Sequence, residues 1–200
     1  VKELESFPNS DSIRIDIDLV RKLSPDSLSI MEFKTEMDIV IFKKMMKFPQ
    51  LKEDYSELWN LSLSRDFDMT NDSDLFKAKP LQDTTPLIQG NMIYQYTKDY
   101  AEPKYWIKIK EGKKRVIGNK EDDENTFSFN YYRLVHRRIA SSTNERSLIA
   151  SIIPPYYFCG DTAQTVKNNL SYKNSLYIVA IFNSFIADFE IRKKITSHLD

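Results

Sequence analysis

Apolar and charged residues alternate through Ile13, Arg14, Ile15, Asp16 and Ile17, the two-residue period of a half-buried strand, and Ser24-Pro25-Asp26-Ser27 behind them is turn chemistry. The period then lengthens. Thr35 with Asp38 three residues on forms a capping-box pattern. Met37, Val40, Ile41, Met45 and Phe48 follow at near-helical spacing until Pro49, which predicts a helix over 35–48 with a methionine-rich core stripe. From Asp66 to Thr85 the chain is polar, turn-rich and aperiodic, as expected of a long loop or connector ending at a boundary near Thr85. Strand-like runs come next, at Met92–Tyr96, Tyr105–Ile109, Arg115–Ile117, Phe127–Ala140 and Leu148–Ile153, all rich in aromatic and β-branched residues. NKEDDENT reads as an acidic loop between two of them, and GDTAQTVKNNLSYKNS as a polar connection. Finally Ile178, Ile181, Phe182, Phe185, Ile186 and Phe189 keep the spacing of one amphipathic helix, with Arg192, Lys193 and Lys194 complementing the dipole at its end. The expected architecture is a mixed α+β fold. Residues 1–85 form a connector with the helix 35–48, 86–175 a mainly antiparallel sheet domain, and 176–200 a terminal amphipathic helix.

Composition narrows the function classes. Two hundred residues with 41% hydrophobic side chains suffice for an ordinary core, which argues against wholesale disorder. Lysine plus arginine, at 29, equals aspartate plus glutamate, also 29, so no overall field favours a polyanion and any nucleic-acid argument must rest on local patches. Cys159 stands alone, which excludes an internal disulfide or a multi-cysteine zinc site and fits a reducing compartment. No apolar run approaches the ~20 residues of a membrane span, and VKELESFPNSDS lacks the order of a signal peptide. The expectation is a cytoplasmic protein, and its two ends read as cut from a longer polypeptide.

Catalytic motifs are imitated rather than present. Ile153-Pro154-Pro155-Tyr156 resembles the motif of amino-methylating DNA enzymes, but its first position must accept hydrogen bonds from the amino group and isoleucine has no acceptor. The four glycines, at 90, 112, 118 and 160, are isolated and form no nucleotide-binding loop. Asp26 with Glu32 and Lys34 imitates a nuclease metal site, although such ligands sit on neighbouring strands with more chain between them. Cys159, His136 and His198 fall in different elements with no triad motif. No catalytic residue, metal site or cofactor site is expected in this chain.

The basic clusters carry more. Between Lys104 and Arg115 lie five lysines and one arginine against the single acid Glu111, in what reads as a strand-turn-strand. Arg133, Arg137, Arg138 and Arg146 add guanidinium forks suited to phosphates and guanine edges, with Arg133 and Arg137 on one strand face. Tyr94, Gln95 and Tyr96 offer polar tips.

Four blocks, WNLSLSRDFDMTNDSDLF, PLIQGNMIYQYTKDYAEPKYW, RRIASSTNERSLIASIIPP and LYIVAIFNSFIADFEIRKKITSHL, resemble in order the C-terminal region of type IIG restriction-modification enzymes. Related DNA adenine-N6 methyltransferases, including those of phage-defence systems, share the pattern. The resemblance implies a target-recognition domain that binds duplex DNA. S-adenosylmethionine, and magnesium if a nuclease is present, would then belong to other parts of the parent chain. It matches Gly90 to the glycine opening the recognition sheet, Trp106 to the aromatic of a Tyr-Trp pair, Arg137 to an Arg-x-Ile-Ala block and Asn144, Glu145 and Arg146 to a Thr-Asn-Glu-Arg block. Asn183-Ser184 matches a spacer-like helix. Arg138 departs from the acidic residue commoner at its position. For Asn144 to Arg146 two roles stay open, bracing the domain or touching DNA.

The resulting expectation is a bacterial or archaeal recognition module without catalysis of its own. Lys108, Lys110, Lys113, Lys114 and Arg115 would neutralise phosphates, and Arg133, Arg137 and Gln95 would read bases. Tyr96, Asn144 and Arg146 would complete one concave cationic surface. Two rivals are a protein-interaction module, with helix 176–195 docking on a partner helix or on the methyltransferase lobe, and an autonomous nuclease relying on Asp26.

Overall fold

Asp16 begins a helix where the alternating pattern predicts a strand. In the computed structural model, which describes residues 12–23, 30–48, 61–118, 128–166 and 170–195, the chain divides into two units, Val1–Gln50 and Leu51–Asp200. In the first unit the Asp16 carboxylate accepts the Asp18 N–H at 2.9 Å and its carbonyl accepts those of Leu19 and Val20, opening α1 (Ile17–Leu23). A local cap satisfies these amides, whereas an alternating run satisfies them only beside a partner strand. Helix α2 (Glu36–Met45) starts as its capping pattern predicts: Thr35 Oγ1 accepts the Asp38 N–H at 3.3 Å, and Asp38 accepts the Lys34 N–H at 2.8 Å. Its buried side chains are Ile39 and Phe42, and Phe42 meets Phe33 edge-on at 5.3 Å between centroids. Met37, Val40 and Phe48 of the expected stripe are exposed. The turn at Ser24–Ser27 and the stop at Pro49 lie outside the described residues, as does NKEDDENT.

The second unit is layered. One sheet has the order β1 (Leu63–Ser64), β7 (Ala163–Val166), β4 (Arg133–Arg137), β5 (Ala150–Ile153), all neighbours antiparallel. The other has the order β3 (Trp106–Lys108), β2 (Thr84–Ile88), β6 (Phe158–Cys159), with β2 antiparallel to β3 and parallel to β6. A mixed α+β fold is therefore observed.

Strand alternation assigns each side chain to a layer. Val135, Ile153, Ala163, Ile88 and Cys159 form the core between the two sheets. Leu134, Ala150 and Val166, on the opposite face of the first sheet, pack against Ile178, Val179 and Phe182. Leu87, Ile107 and Phe158, on the outer face of the second, meet Phe67 and Phe129, with Ile109 and Val116 of helix α3 (Ile109–Ile117) against them.

Three expectations need correction. The boundary falls between Gln50 and Leu51, since a cut near Thr85 would sever β2 inside its own sheet. Arg115–Ile117 is the end of α3 rather than a strand, and Met92–Tyr96 is a short 3-10 turn, Gly90–Met92, running into a two-residue turn. The terminal helix is two helices, α4 (Tyr172–Phe182) and α5 (Phe185–Lys194). Ser184 restarts the second by accepting the Ala187 N–H at 3.2 Å, as Ser171 starts the first on Asn174 at the same distance. The break divides the apolar stripe: Ile178 and Phe182 are buried, whereas Ile181, Phe185 and Ile186 are exposed.

Candidate functional site

Arg133 and Arg137 share a face of β4, as the strand period requires, but that face also carries Val135 and is covered by the second sheet. Arg133 is consequently an internal tie, which corrects the expectation that it reads bases, whereas Arg137 is half-buried and bonds to a loop at the edge of that cover. Arg133 binds both carboxylate oxygens of Asp66 at 3.2 Å and donates to the Tyr157 carbonyl at 2.5 Å. The side chains of the pair are only 3% and 6% exposed. Burial works against the Arg133 charge, but the facing Asp66 carboxylate outweighs it and raises the pKa above its ordinary value. Asp66 also accepts the Cys159 N–H at 2.8 Å, and burial pushes the Cys159 thiol up to about 12.

Arg137 spends its guanidinium on the loop that follows β2, donating to the Gly90 carbonyl at 2.9 Å and to that of Ile93 at 2.7 Å. Burial lowers its pKa from the ordinary arginine value. Gly90 donates to Thr162 Oγ1 at 2.9 Å, and a Cβ there would sit 2.5 Å from the Thr162 carbonyl oxygen, so the loop closes only on a glycine. The glycine singled out by the sequence is thus a point of close backbone approach.

A second knot forms where α4 ends. The Asn183 side chain makes two hydrogen bonds to the backbone of Ala150 in β5, at 2.8 and 3.0 Å, while the Asn183 backbone carbonyl accepts from Gln95 at 3.2 Å and from Arg146 at 2.5 Å. Arg146 also donates to the Ser184 carbonyl at 3.1 Å, lies 3.8 Å from Asp188 and stands 4.7 Å from the Phe185 ring centroid. Asp188 accepts the amides of Ser147 and Leu148 and binds Arg192 at 2.8 Å. Burial tends to raise the Asp188 pKa, but the Leu148 amide, Arg192, the Ser147 amide and Arg146 together hold it below the ordinary value of 3.8. Arg192 reaches on to the backbone carbonyls of Ser142, Asn144 and Glu145. Gln95 and Arg146 are therefore braces as well. Asn144 is exposed, and its carbonyl belongs to the brace.

Between these knots sits the turn Tyr94–Thr97. Tyr94 and Thr97 exchange backbone hydrogen bonds at 2.9 and 3.1 Å, and the Tyr96 N–H donates to the Ala150 carbonyl at 3.1 Å. Tyr94 stacks on Tyr100 at 4.7 Å between centroids. Tyr96 has φ of 65° and is 65% exposed.

The lysine-rich segment lies elsewhere. Instead of a hairpin, β3 passes at Lys108 directly into α3, and Gly112 makes no turn: a methyl there would overlap the Phe158 ring. Lys108 lies 3.5 Å from Glu111, Arg115 binds Asp72 at 2.5 Å, and Lys113 stands 5.8 Å above the Phe129 ring. Lys110 and Lys114, four residues apart on α3, are exposed, and neither has an ion pair among the described residues. Lys108 pairs with Thr84 at one end of β2, whereas Gly90 lies beyond the other end. At about 3.3 Å per residue that separation is roughly 20 Å along the strand. Lys108 and the tie between Arg137 and Gly90 thus lie at opposite ends of β2.

Sequence reasoning missed Asn183 as a hub and Asp66 as the partner of Arg133. The first had a signal, a polar Asn-Ser pair interrupting an apolar helical period; the second, some seventy residues from its arginine, had none. Nothing local marks Tyr96 as left-handed.

Among the described residues no group of three or more His, Cys, Asp or Glu side chains could hold a metal ion. Asp26 and His198 lie outside them, His136 is buried in β4, and Pro154-Pro155 ends β5. No helix of the described residues is long and apolar enough to cross a membrane. Comparison with protein-family models and with curated proteins finds no match to this chain.

Proposed function

We propose that the Leu51–Asp200 unit is a sequence-specific duplex DNA recognition domain, serving a DNA adenine-N6 methyltransferase of a restriction-modification or phage-defence system in a bacterial or archaeal cytoplasm. One observation carries the reading: the residues matching the family blocks, Gly90, Arg137, Arg146 and Asn183, bond inward to one another's segments and hold the 94–97 turn outward. A recurring internal frame under a variable rim is what a family that reads many sequences requires. Methyl transfer from S-adenosylmethionine, and any magnesium-dependent cutting, belong to other portions of such an enzyme, and this unit is not itself catalytic.

In this reading Lys108, Lys110 and Lys114 neutralise phosphates, while Arg133, Arg137 and Arg146 set the rigidity of the surface. The test is fluorescence anisotropy of the 200-residue chain with a random-sequence duplex as salt rises. Affinity should fall linearly on a log–log plot, and K110A/K114A should flatten the slope by about 1.8, close to 0.9 per phosphate contact. Affinity that does not respond to salt, or no binding at low salt, refutes the reading.

A second reading has its own observation. Leu176, Tyr177 and Ile181 of α4 and Phe185 and Ile186 of α5 are exposed apolar side chains, of the kind suited to docking on the methyltransferase lobe. It is compatible with DNA binding and becomes the principal function if the salt titration fails.

A further inference from the structure

Tyr96 occupies a backbone position made for glycine. In the Tyr94–Thr97 turn the Thr97 N–H returns to the Tyr94 carbonyl, and of the two central residues only Tyr96 has positive φ, at 65°. That is the type II pattern, whose third residue is ordinarily glycine or asparagine because a Cβ crowds the neighbouring carbonyl. The same loop has glycine at Gly90, where close approach excludes a side chain. At Tyr96 it has instead a large aromatic residue, at a cost in backbone strain.

No contact of the Tyr96 side chain among the described residues offsets that cost. The ring is 65% exposed and makes no aromatic contact among the described residues. Everything beneath it is held: the Tyr96 amide by Ala150, Gln95 by Asn183, and the turn's base by the Tyr94 stack on Tyr100. A strained, rigidly supported and outward-facing side chain is the pattern of a functional group rather than a packing one. The Asn183 knot also holds out a second bare ring, Phe185, 83% exposed and backed by the Arg146 guanidinium at 4.7 Å.

We infer that Tyr96 is a DNA-contacting residue that engages a base through the flat face of its ring, stacking on a base at an opened or partly unstacked step. This deepens the DNA-recognition reading above and rests on it. Among the surfaces of DNA only the base face is flat and apolar, and stacking on it needs a ring aimed rigidly outward, which this turn supplies. The phenol oxygen is secondary in this arrangement, so the inference differs from a tip-first polar contact.

The test uses the full chain and the same random-sequence duplex. Y96G and Y96N suit the left-handed backbone, so both should melt no lower than wild type while binding about fivefold to 150-fold more weakly, the range for loss of one stacked base. Y96F should recover most of the affinity lost in Y96G. A lower melting temperature in both Y96G and Y96N would make Tyr96 a structural residue and overturn the inference. So would a Y96F as weak as Y96G, which would indicate a contact through the hydroxyl. If Y96G binds like wild type while K110A/K114A is weakened, stacking fails and the DNA reading stands. If wild type does not bind the duplex at low salt, the DNA reading itself fails.

Discussion

Removing one member of the Arg133–Asp66 pair should unfold this domain far more readily than removing both. The pair is almost wholly buried, and among the described residues each side chain has a single other tie, Arg133 to the Tyr157 carbonyl and Asp66 to the Cys159 amide. In D66L the guanidinium stays between the sheets without its counter-charge, and in R133M the carboxylate does. Stranding one charge of a buried pair costs about 3–5 kcal/mol. For a chain of this size each kcal/mol shifts the melting temperature by roughly 2–4 °C, so each single variant should melt about 6–20 °C lower. D66L/R133M buries no charge and should recover most of that loss, giving a coupling energy of several kcal/mol. Urea unfolding followed by far-UV circular dichroism on all four proteins closes the cycle. Single variants within about 0.5 kcal/mol of wild type, a typical surface value, would refute the internal placement. So would an R133M that remains fully stable but has a flatter salt dependence of DNA binding.

Three further outcomes follow from the same geometry. G90A sets a methyl against the Thr162 carbonyl and should cost about 1–3 kcal/mol in urea unfolding, with a parallel loss of DNA affinity as the loop shifts. Asp188 has a depressed folded pKa, so its contribution to stability is complete above the ordinary carboxylate value of 3.8 and is lost as pH falls through the lower folded value. D188N should therefore be less stable by about 1–3 kcal/mol at neutral pH and show a shallower acid limb, measured by thermal melts across the acid range. Cys159, buried with its thiol pKa raised to about 12, should react with a thiol reagent at mildly alkaline pH only in proportion to the unfolded fraction, read from labelling along a urea series.

The legible parts of the fold were those whose signal is local. Thr35 with Asp38 marked the start of α2, and the β-branched and aromatic runs around Arg133–Arg137 and Leu148–Ile153 marked β4 and β5. Strands β2, β6 and β7 escaped because their pairing is distant: Leu87 opposite Phe158 and Val135 opposite Thr165 leave no mark in a short window. For α3 the signal was present but outweighed, since Ile109, Gly112 and Val116 keep a helical period while Gly112 among lysines suggests a turn. In the candidate site, Gly90 was recognisable as special, and for the Asn-Glu-Arg triplet bracing was one of the two roles left open, which the Arg146 bonds to the Asn183 segment now fill. A charged strand residue faces water only if nothing covers its side of the sheet, and both the second sheet that covers Arg133 and the loop that binds Arg137 are built from segments far from them in sequence.

The Asn183 knot has one more consequence. Strand β5 is the last in its sheet, so the outward amide and carbonyl of Ala150 would lie open to any passing chain. The Asn183 carboxamide occupies both, as a neighbouring strand would, and the Tyr96 amide takes a further bond to that carbonyl. The residue that breaks the terminal helix is thus also a plug against strand-by-strand self-association, and loosening the helix pair would uncover a place for another copy to add on.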